Sequence, residues 1–189
     1  RRVLFRSQDL YVYLRDRIRD LQHIDSLLVV DVSGRVVNST HSWPTPELDV
    51  SDRDYFLKAR DSSPGAVYVG APVRSPLTGE WIINVARRIN GPDGAFLGVV
   101  DATMPIEYFQ EFYRAIFGGS ARTASFLRRD GILLARYPSS ESSLGSDFAN
   151  RRLFADVLPN SDSGTRHTEE SAFDRKPRTM AFHAVRGFP

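Results

Sequence analysis

Arg53 stands between two aspartates and ahead of two aromatic rings in Ser51-Asp52-Arg53-Asp54-Tyr55-Phe56. A guanidinium offers a planar fork that a carboxylate accepts in bidentate fashion, and ring faces beside it suit the capture of a small anion. Ser51 and Asp54 have the spacing of a capping box, which predicts a short helix starting at Ser51. A cation in that first turn lies near the positive end of the helix dipole. Its charge therefore calls for an anion, either a neighbouring aspartate or one that arrives from solution. The plainer alternative for Arg53 is a structural ion pair with Asp52, Asp54 or Asp101.

Asp101 lies within the apolar run Gly98-Val99-Val100-Asp101-Ala102. A buried carboxylate needs a partner, and Arg53 is a candidate. Tyr55 and Phe56, adjacent on a helix, point about 100° apart, so one can face a pocket while the other packs on a sheet. Trp81 fits either a sheet-face core or a pocket wall. Val69, Ala71 and Val73 alternate along one run and are expected to share one strand face, as core or as pocket lining.

The apparatus of catalysis is not visible. The chain has no cysteine, which excludes disulfides, thiolate metal sites and cysteine nucleophiles. The four histidines, His23, His41, His167 and His183, show no metal-ligand spacing. There is no G-x-S-x-G, phosphate loop or dinucleotide fingerprint. The expectation is a binding domain with no catalytic residues, metal or cofactor.

The 189 residues suffice for one large or two small domains. Lysine and arginine total 25, of which Lys58 and Lys176 are the two lysines, and the formal net charge is +2. The positive residues are spread rather than blocked, which argues against nucleic-acid binding. No run reaches the ~18–20 apolar residues of a transmembrane helix. The abrupt first and last residues read as those of a fragment from a longer protein.

These residues need elements to position them. Leu10, Leu14, Ile18, Leu21 and Leu28 recur at steps that predict a helix over about residues 2–25, roughly 36 Å long. It fits a helix packed along its own domain and a dimer-forming stalk alike. Leu27 to Val32, Ser33-Gly34 and Arg35 to Val37 read as strand, turn, strand. Val67–Val73, Trp81–Ile89 and Ala95–Met104 read as further strands. Pro105 is suited to the start of a helix with an apolar stripe from Ile106 to Ile116, and Gly118-Gly119 end it. Five strands in hairpin order with helices to one side predict an antiparallel α+β domain.

The pattern then restarts. Gly131 follows Gly34 by 97 residues, Arg151 follows Arg53 by 98, and Gly164 follows Gly65 by 99. A nearly constant shift predicts two copies of one module, over residues 26–120 and 121–189. The second copy reaches Pro189 before any counterpart of Ala95–Met104, so an uncovered sheet edge is expected.

A long N-terminal helix ahead of two such modules resembles the double Cache (PDC-type, PAS-like) sensor family. Val69-Gly70-Ala71-Pro72-Val73-Arg74-Ser75-Pro76-Leu77-Thr78-Gly79 resembles that family's strand-Pro-strand-Thr-Gly segment. Gly98 to Met104, followed by Ile106-Glu107-Tyr108-Phe109, resembles the last strand and exit helix of its membrane-distal module. The resemblance covers essentially the whole chain.

The resemblance implies an extracytoplasmic domain on the periplasmic side of the bacterial inner membrane, between transmembrane helices outside this chain. It implies a small molecule bound in the membrane-distal module and a signal passed to a histidine kinase, chemotaxis module or diguanylate cyclase. A homodimer through the N-terminal helix is the expected assembly. Family members that bind amino acids carry Tyr-x4-Arg-x-Trp-Tyr on the short helix and acidic residues on the strands. Arg53 matches the carboxylate-binding arginine, Tyr55 stands at the tryptophan, Phe56 replaces the tyrosine and Leu48 mismatches the leading tyrosine. The acidic positions fall on Ala71 and Thr103, with Asp101 two residues before the latter. A kept carboxylate anchor and lost amine anchors favour a small organic acid over an amino acid. The alternatives are a ligand-free interaction or dimerisation module that docks a periplasmic partner, and an amino-acid sensor.

Overall fold

The apolar run Leu27-Leu28-Val29-Val30 forms the centre of β1 (Ser26–Asp31). A turn through Gly34 returns the chain as β2 (Val36–Ser39). The computed structural model describes residues 5–118, 122–168, 170–171, 173 and 175–185. Its fold is α+β with antiparallel sheets.

The larger sheet adds β3 (Val67–Val69), β4 (Val73–Arg74), β5 (Trp81–Asn90) and β6 (Phe96–Pro105). Its order is β2-β1-β6-β5-β3, with β4 also on β5. The last strand in sequence thus lies between the first and the fifth, which places Ser26 opposite Thr103 and Asn84 opposite the same Thr103.

Side chains alternate across this sheet, and helices cover both faces rather than one. On the first face α2 (Asp54–Arg60) packs Tyr55, Phe56 and Ala59 against Leu28, Val30, Ala86 and Val99. On the second, α3 (Ile106–Phe117) brings Ile106 and Phe109 onto Val69 and Ile83. The hairpin β7 (Ala124–Leu127) and β8 (Leu133–Tyr137) packs there too, through Phe126, Leu134 and Ala135. Phe109 and Phe126 stack at 5.2 Å. Strand alternation exposes apolar residues on both sides, so a helix on one side alone would leave the other wet. Pro105 is the N-cap of α3 and Gly118 its C-cap; Gly119 lies outside the described residues.

The N-terminal helix is shorter than its periodicity predicts. α1 spans Gln8–Ile18, and the Oγ of Ser7 accepts the Leu10 N–H at 3.2 Å. Asn38 ties its start by donating to the carbonyls of Phe5 and Ser7. Beyond Ile18 the chain descends in turns, because the Asp25 N–H bonds the Thr103 carbonyl at 2.9 Å as β1 begins. Sheet pairing there replaces helical bonds. Leu10, Leu14 and Ile18 are half-buried, and no α1 residue is fully buried.

The turn around Gly34 recurs at Gly131 bond by bond. Val50 N–H donates to the Gly34 carbonyl, Arg53 N–H to Val50, and Leu57 N–H to Arg53. Phe148, Arg151 and Ala155 make the same bonds to Gly131, Phe148 and Arg151. Asp49 and Asp147 each accept the N–H two residues on, from Ser51 and Ala149. Gly65 and Gly164 do not correspond, since Gly65 turns at φ +88° and Gly164 lies within β9 (Ser163–Thr168). β9 pairs with β10 (Arg178–His183) as a sheet separate from β7–β8. In the larger sheet β6 joins β1 to β5; among the described residues no strand takes that place here.

Candidate functional site

The turn that presents Arg53 is built on Gly34. A Cβ there would lie 2.4 Å from the Cα of Ser51, so only glycine lets the two segments touch. That contact and the Val50–Gly34 bond fix residues 50–53 as a turn, and the predicted capping box does not form. Arg53 is itself the N-cap of α2, without a side-chain cap. Ser51 gives its N–H to Asp49, and Asp54 accepts the Tyr68 hydroxyl at 3.0 Å.

A cavity lies between this turn, the sheet and the β4–β5 connection. Leu48, Val50, Arg53 and Tyr55 line it from the turn side, and Asp25, Ser26 and Leu28 from β1 and its approach. Val73, Arg74, Ser75, Pro76 and Leu77 form the opposite wall, with Ile82, Asn84 and Thr103 beneath. Its interior is about 30 Å³, space for about two waters. A ligand of several heavy atoms therefore needs the walls to part.

Charge at the cavity comes from Arg53 and Asp25, while the Arg74 side chain lies with Trp81 on the opposite face of the sheet. The Arg53 side chain is 49% exposed, and its Nε lies 3.6 Å from Asp52, a loose ion pair in high dielectric. Arg74 donates to Glu141 at 2.7 Å and to the Gly79 carbonyl at 2.9 Å. Its guanidinium lies 4.7 Å from the centre of the Trp81 ring. On the floor the hydroxyls of Ser26 and Thr103 are 2.7 Å apart, and Thr103 Oγ1 lies 3.5 Å from Asp25.

Asp101 is fully buried, and its partner is Asn84 rather than Arg53. The Asn84 amide donates to Oδ2 at 2.6 Å, while Oδ1 has no hydrogen-bond partner among the described residues. Burial pushes its pKa up to about 7, against the pull of the Asn84 bond and with added repulsion from Asp54. Burial, then the Asp101 charge, raises the Tyr55 hydroxyl well above its ordinary value.

Of the residues singled out in the sequence, Arg53, Tyr55, Val73 and Thr103 line the cavity. Phe56 points into the core beside Phe96. Trp81 lies on the opposite sheet face, where its indole N–H donates to Glu141 at 3.0 Å. Val69 is also on that face, so the expectation that Val69, Ala71 and Val73 share one face fails. Val69 pairs with Val85 but Val73 with Ile82, which leaves one extra residue on the β3–β4 side. A one-residue offset reverses the facing of all that follows. Ala71 sits in that irregular stretch, half-buried and outside the lining.

Sequence reasoning missed Asp25, Ser26, Arg74 and Asn84. Asn84 carried a usable signal, a polar residue inside the apolar run Trp81-Ile82-Ile83-Asn84-Val85. Asp25 and Ser26 carried none, because the pairing with Thr103 that brings them in spans 77 residues.

Residues 4–189 match the dCache_1 family, described as a Cache domain. This chain belongs to the dCache_1 family. The crystal structure of the extracellular domain of a candidate histidine kinase, rpHK1S-Z16, is 34% identical, with a TM-score of 0.84. The match covers 97% of this chain and 74% of that one. The ligand-binding domain of the Pseudomonas aeruginosa PAO1 amino-acid chemoreceptor PctC, in complex with GABA, is 18% identical at a TM-score of 0.65. That match covers 97% of this chain and 75% of the other. The Pseudomonas fluorescens chemoreceptor CtaA in complex with L-serine is 16% identical at a TM-score of 0.56, covering 94% and 68%. The two chemoreceptors share the fold. Among curated proteins none matches in sequence.

In this Cache domain the cavity unites a fork-shaped cation, an aromatic wall and a hydroxyl-lined floor. That set can hold a carboxylate and exclude water around it. Among the described residues no helix is long and apolar enough to cross a membrane.

Proposed function

We propose that this Cache domain is the extracytoplasmic sensing part of a bacterial transmembrane receptor and binds a small carboxylate through Arg53. The output module is a histidine kinase, diguanylate cyclase or chemotaxis module elsewhere in the receptor, and the domain itself performs no catalysis. Residues 26–120 act as the membrane-distal binding module and 121–189 as its membrane-proximal companion. One observation carries the reading. Arg53, whose contact with Asp52 is loose, lines the same cavity as Tyr55 and Thr103. Membership in the dCache_1 family and likeness to a kinase's extracellular domain support the sensory role.

Thermal melts against a panel of organic acids test it. A ligand at 100 times its Kd adds about 2.7 kcal/mol, which raises the midpoint by roughly 2–4 °C per kcal/mol at this size. The shift is expected to vanish in Arg53→Ala. No shift with any carboxylate, or one that persists in that variant, overturns the reading.

Asp25 favours a second reading. A carboxylate on the cavity wall beside Thr103 is a place for an ammonium, which points to an amino acid, the ligand class bound in PctC and CtaA. A larger shift with an amino acid than with its des-amino analogue, lost in Asp25→Asn, would select it. The exposed Val12 and Tyr13 of α1 are our proposed contact between two copies, which analytical ultracentrifugation of Val12→Glu tests.

A further inference from the structure

We propose that Asn84 is a reversible amide through which the cavity binds a carboxylate with uptake of a proton on Asp101. With Asp101 ionised, Asn84 turns its NH2 to that carboxylate and its carbonyl oxygen to the cavity. With Asp101 protonated, the amide reverses and offers its NH2 to the ligand. This rests on the reading of Arg53 as a carboxylate anchor and adds regulation of the same site.

The two side chains share the sheet face on which the cavity lies. Asn84 stands opposite Thr103 and Ala86 opposite Asp101, and the small Ala86 leaves the diagonal between Asn84 and Asp101 open. Asn84 lines the cavity, while Asp101 is fully buried. One Asp101 oxygen receives the Asn84 N–H and the other has no partner among the described residues, too little to replace the water around a charge. Burial accordingly brings its pKa to about 7.

At 2.6 Å the contact is as short as an O–H···O bond. A protonated carboxyl can therefore donate to the amide oxygen across the same gap, whereas an ionised one can only accept. The two ends of an amide are nearly equal in size, so reversal needs no new room. The charged or titratable groups around Asp101 are Asp54 and Tyr55 of α2, Arg53 before it, Asp25 before β1, and Arg88 on β5. Arg88 is bonded to the Asn90 side chain and the Arg60 carbonyl. None of these is a histidine, the side chain that ordinarily titrates near neutrality.

Calorimetric titration of this chain with formate, the smallest carboxylate and ionised throughout, at about pH 5.5 and about pH 8.5 tests the proposal. Affinity is expected to be at least about ten-fold higher at the lower pH. Asp101→Asn never charges and can give its own N–H to the Asn84 oxygen. It is expected to bind formate equally at both pH values, as strongly as the unaltered chain does at the lower one. Equal affinities in the unaltered chain, with binding lost in Arg53→Ala, overturn the inference and leave the Arg53 reading standing. The same pH dependence in Asp101→Asn does likewise. No formate binding at either pH overturns both. NMR of the ligand-free, unaltered chain tests the reversal independently of how Asp101→Asn folds. As pH falls through about 7, the Overhauser contacts of the Asn84 NH2 are expected to move from the Ala86 methyl, on the Asp101 side, to the Thr103 methyl, on the cavity floor. Contacts that stay in place overturn the reversal.

Discussion

Asn84 faces the cavity and, through the same side chain, donates the hydrogen bond at 2.6 Å that Asp101 receives. The cavity floor is therefore one amide away from a fully buried carboxylate whose other oxygen has no partner among the described residues. This pairing makes the site sensitive to protonation beneath it.

The folded pKa of Asp101, about 7, lies above its ordinary 3.8. Between those values the folded chain holds a proton that the unfolded chain has lost, so stability falls as pH rises from about 4 to about 7. The greatest slope this one group can give is about 1.4 kcal/mol per pH unit. Urea unfolding across that range should show the decline, and Asp101→Asn should flatten it and be the more stable protein at pH 8. A decline of the same size in Asp101→Asn would place the titrating group elsewhere.

Removing the donor should act in the opposite sense. Asn84→Ala leaves Asp101 without the bond it has, at a cost of about 1–3 kcal/mol, larger at pH 8 than at pH 5. In the double variant Asn84→Ala/Asp101→Asn the two effects should fail to add, because the residues touch. Additive losses in denaturant melts would contradict the coupling.

Gly34, Gly131 and Gly79 all have positive φ, at +86°, +97° and +76°. A Cβ at Gly34 or Gly131 would meet the backbone of Ser51 or Ala149 at 2.4 Å, whereas at Gly79 it meets nothing within 4 Å. Alanine at Gly79 should cost only the left-handed penalty, about 1–2 kcal/mol. At Gly34 or Gly131 the backbone must shift as well, and the loss should be at least twice as large. Thermal midpoints of the three alanine variants measure the difference.

Arg128 ties the β7–β8 hairpin to the larger sheet. Its side chain is 14% exposed; it donates to the Val69 carbonyl at 2.6 Å and grips Asp130 with Nε and Nη2. Arg128→Ala should cost about 2–3 kcal/mol and speed proteolysis within residues 122–168. Arg128→Lys keeps the charge but loses the fork, so it should recover only part of that loss. Unaltered cleavage in Arg128→Ala would show that the apolar contacts of Phe126 and Leu134 suffice.

The strand runs, the turn at Gly34 and its recurrence at Gly131 were legible in sequence because each rests on a pattern a few residues long. The capping box was misread for the opposite reason. Ser51 is spent on a contact with Gly34, seventeen positions earlier, and nothing local announces it. α1 ended early because pairing at Asp25 competes with helical bonds that the leucine spacing alone would extend. Asp101 was recognised as needing a partner, but Arg53 was the wrong one. Asn84 lies diagonally across the β5–β6 ladder, beside the Ala86 that faces Asp101, and that neighbourhood exists only once the strands are in register.

Residue types and local periods sufficed for the α+β class, the repeated turn and the place of Arg53 in it. They also left the chain without visible catalytic groups. The membership of the cavity was decided by folding. Side-chain facing has a period of two along a strand, so one unpaired residue between Val69 and Val73 reverses it. Asp25, Ser26 and Asn84 reach Thr103 only through hydrogen-bonded register between segments far apart in the chain. Short-range pattern carries no information about that register, which is settled by burying both faces of the sheet at once.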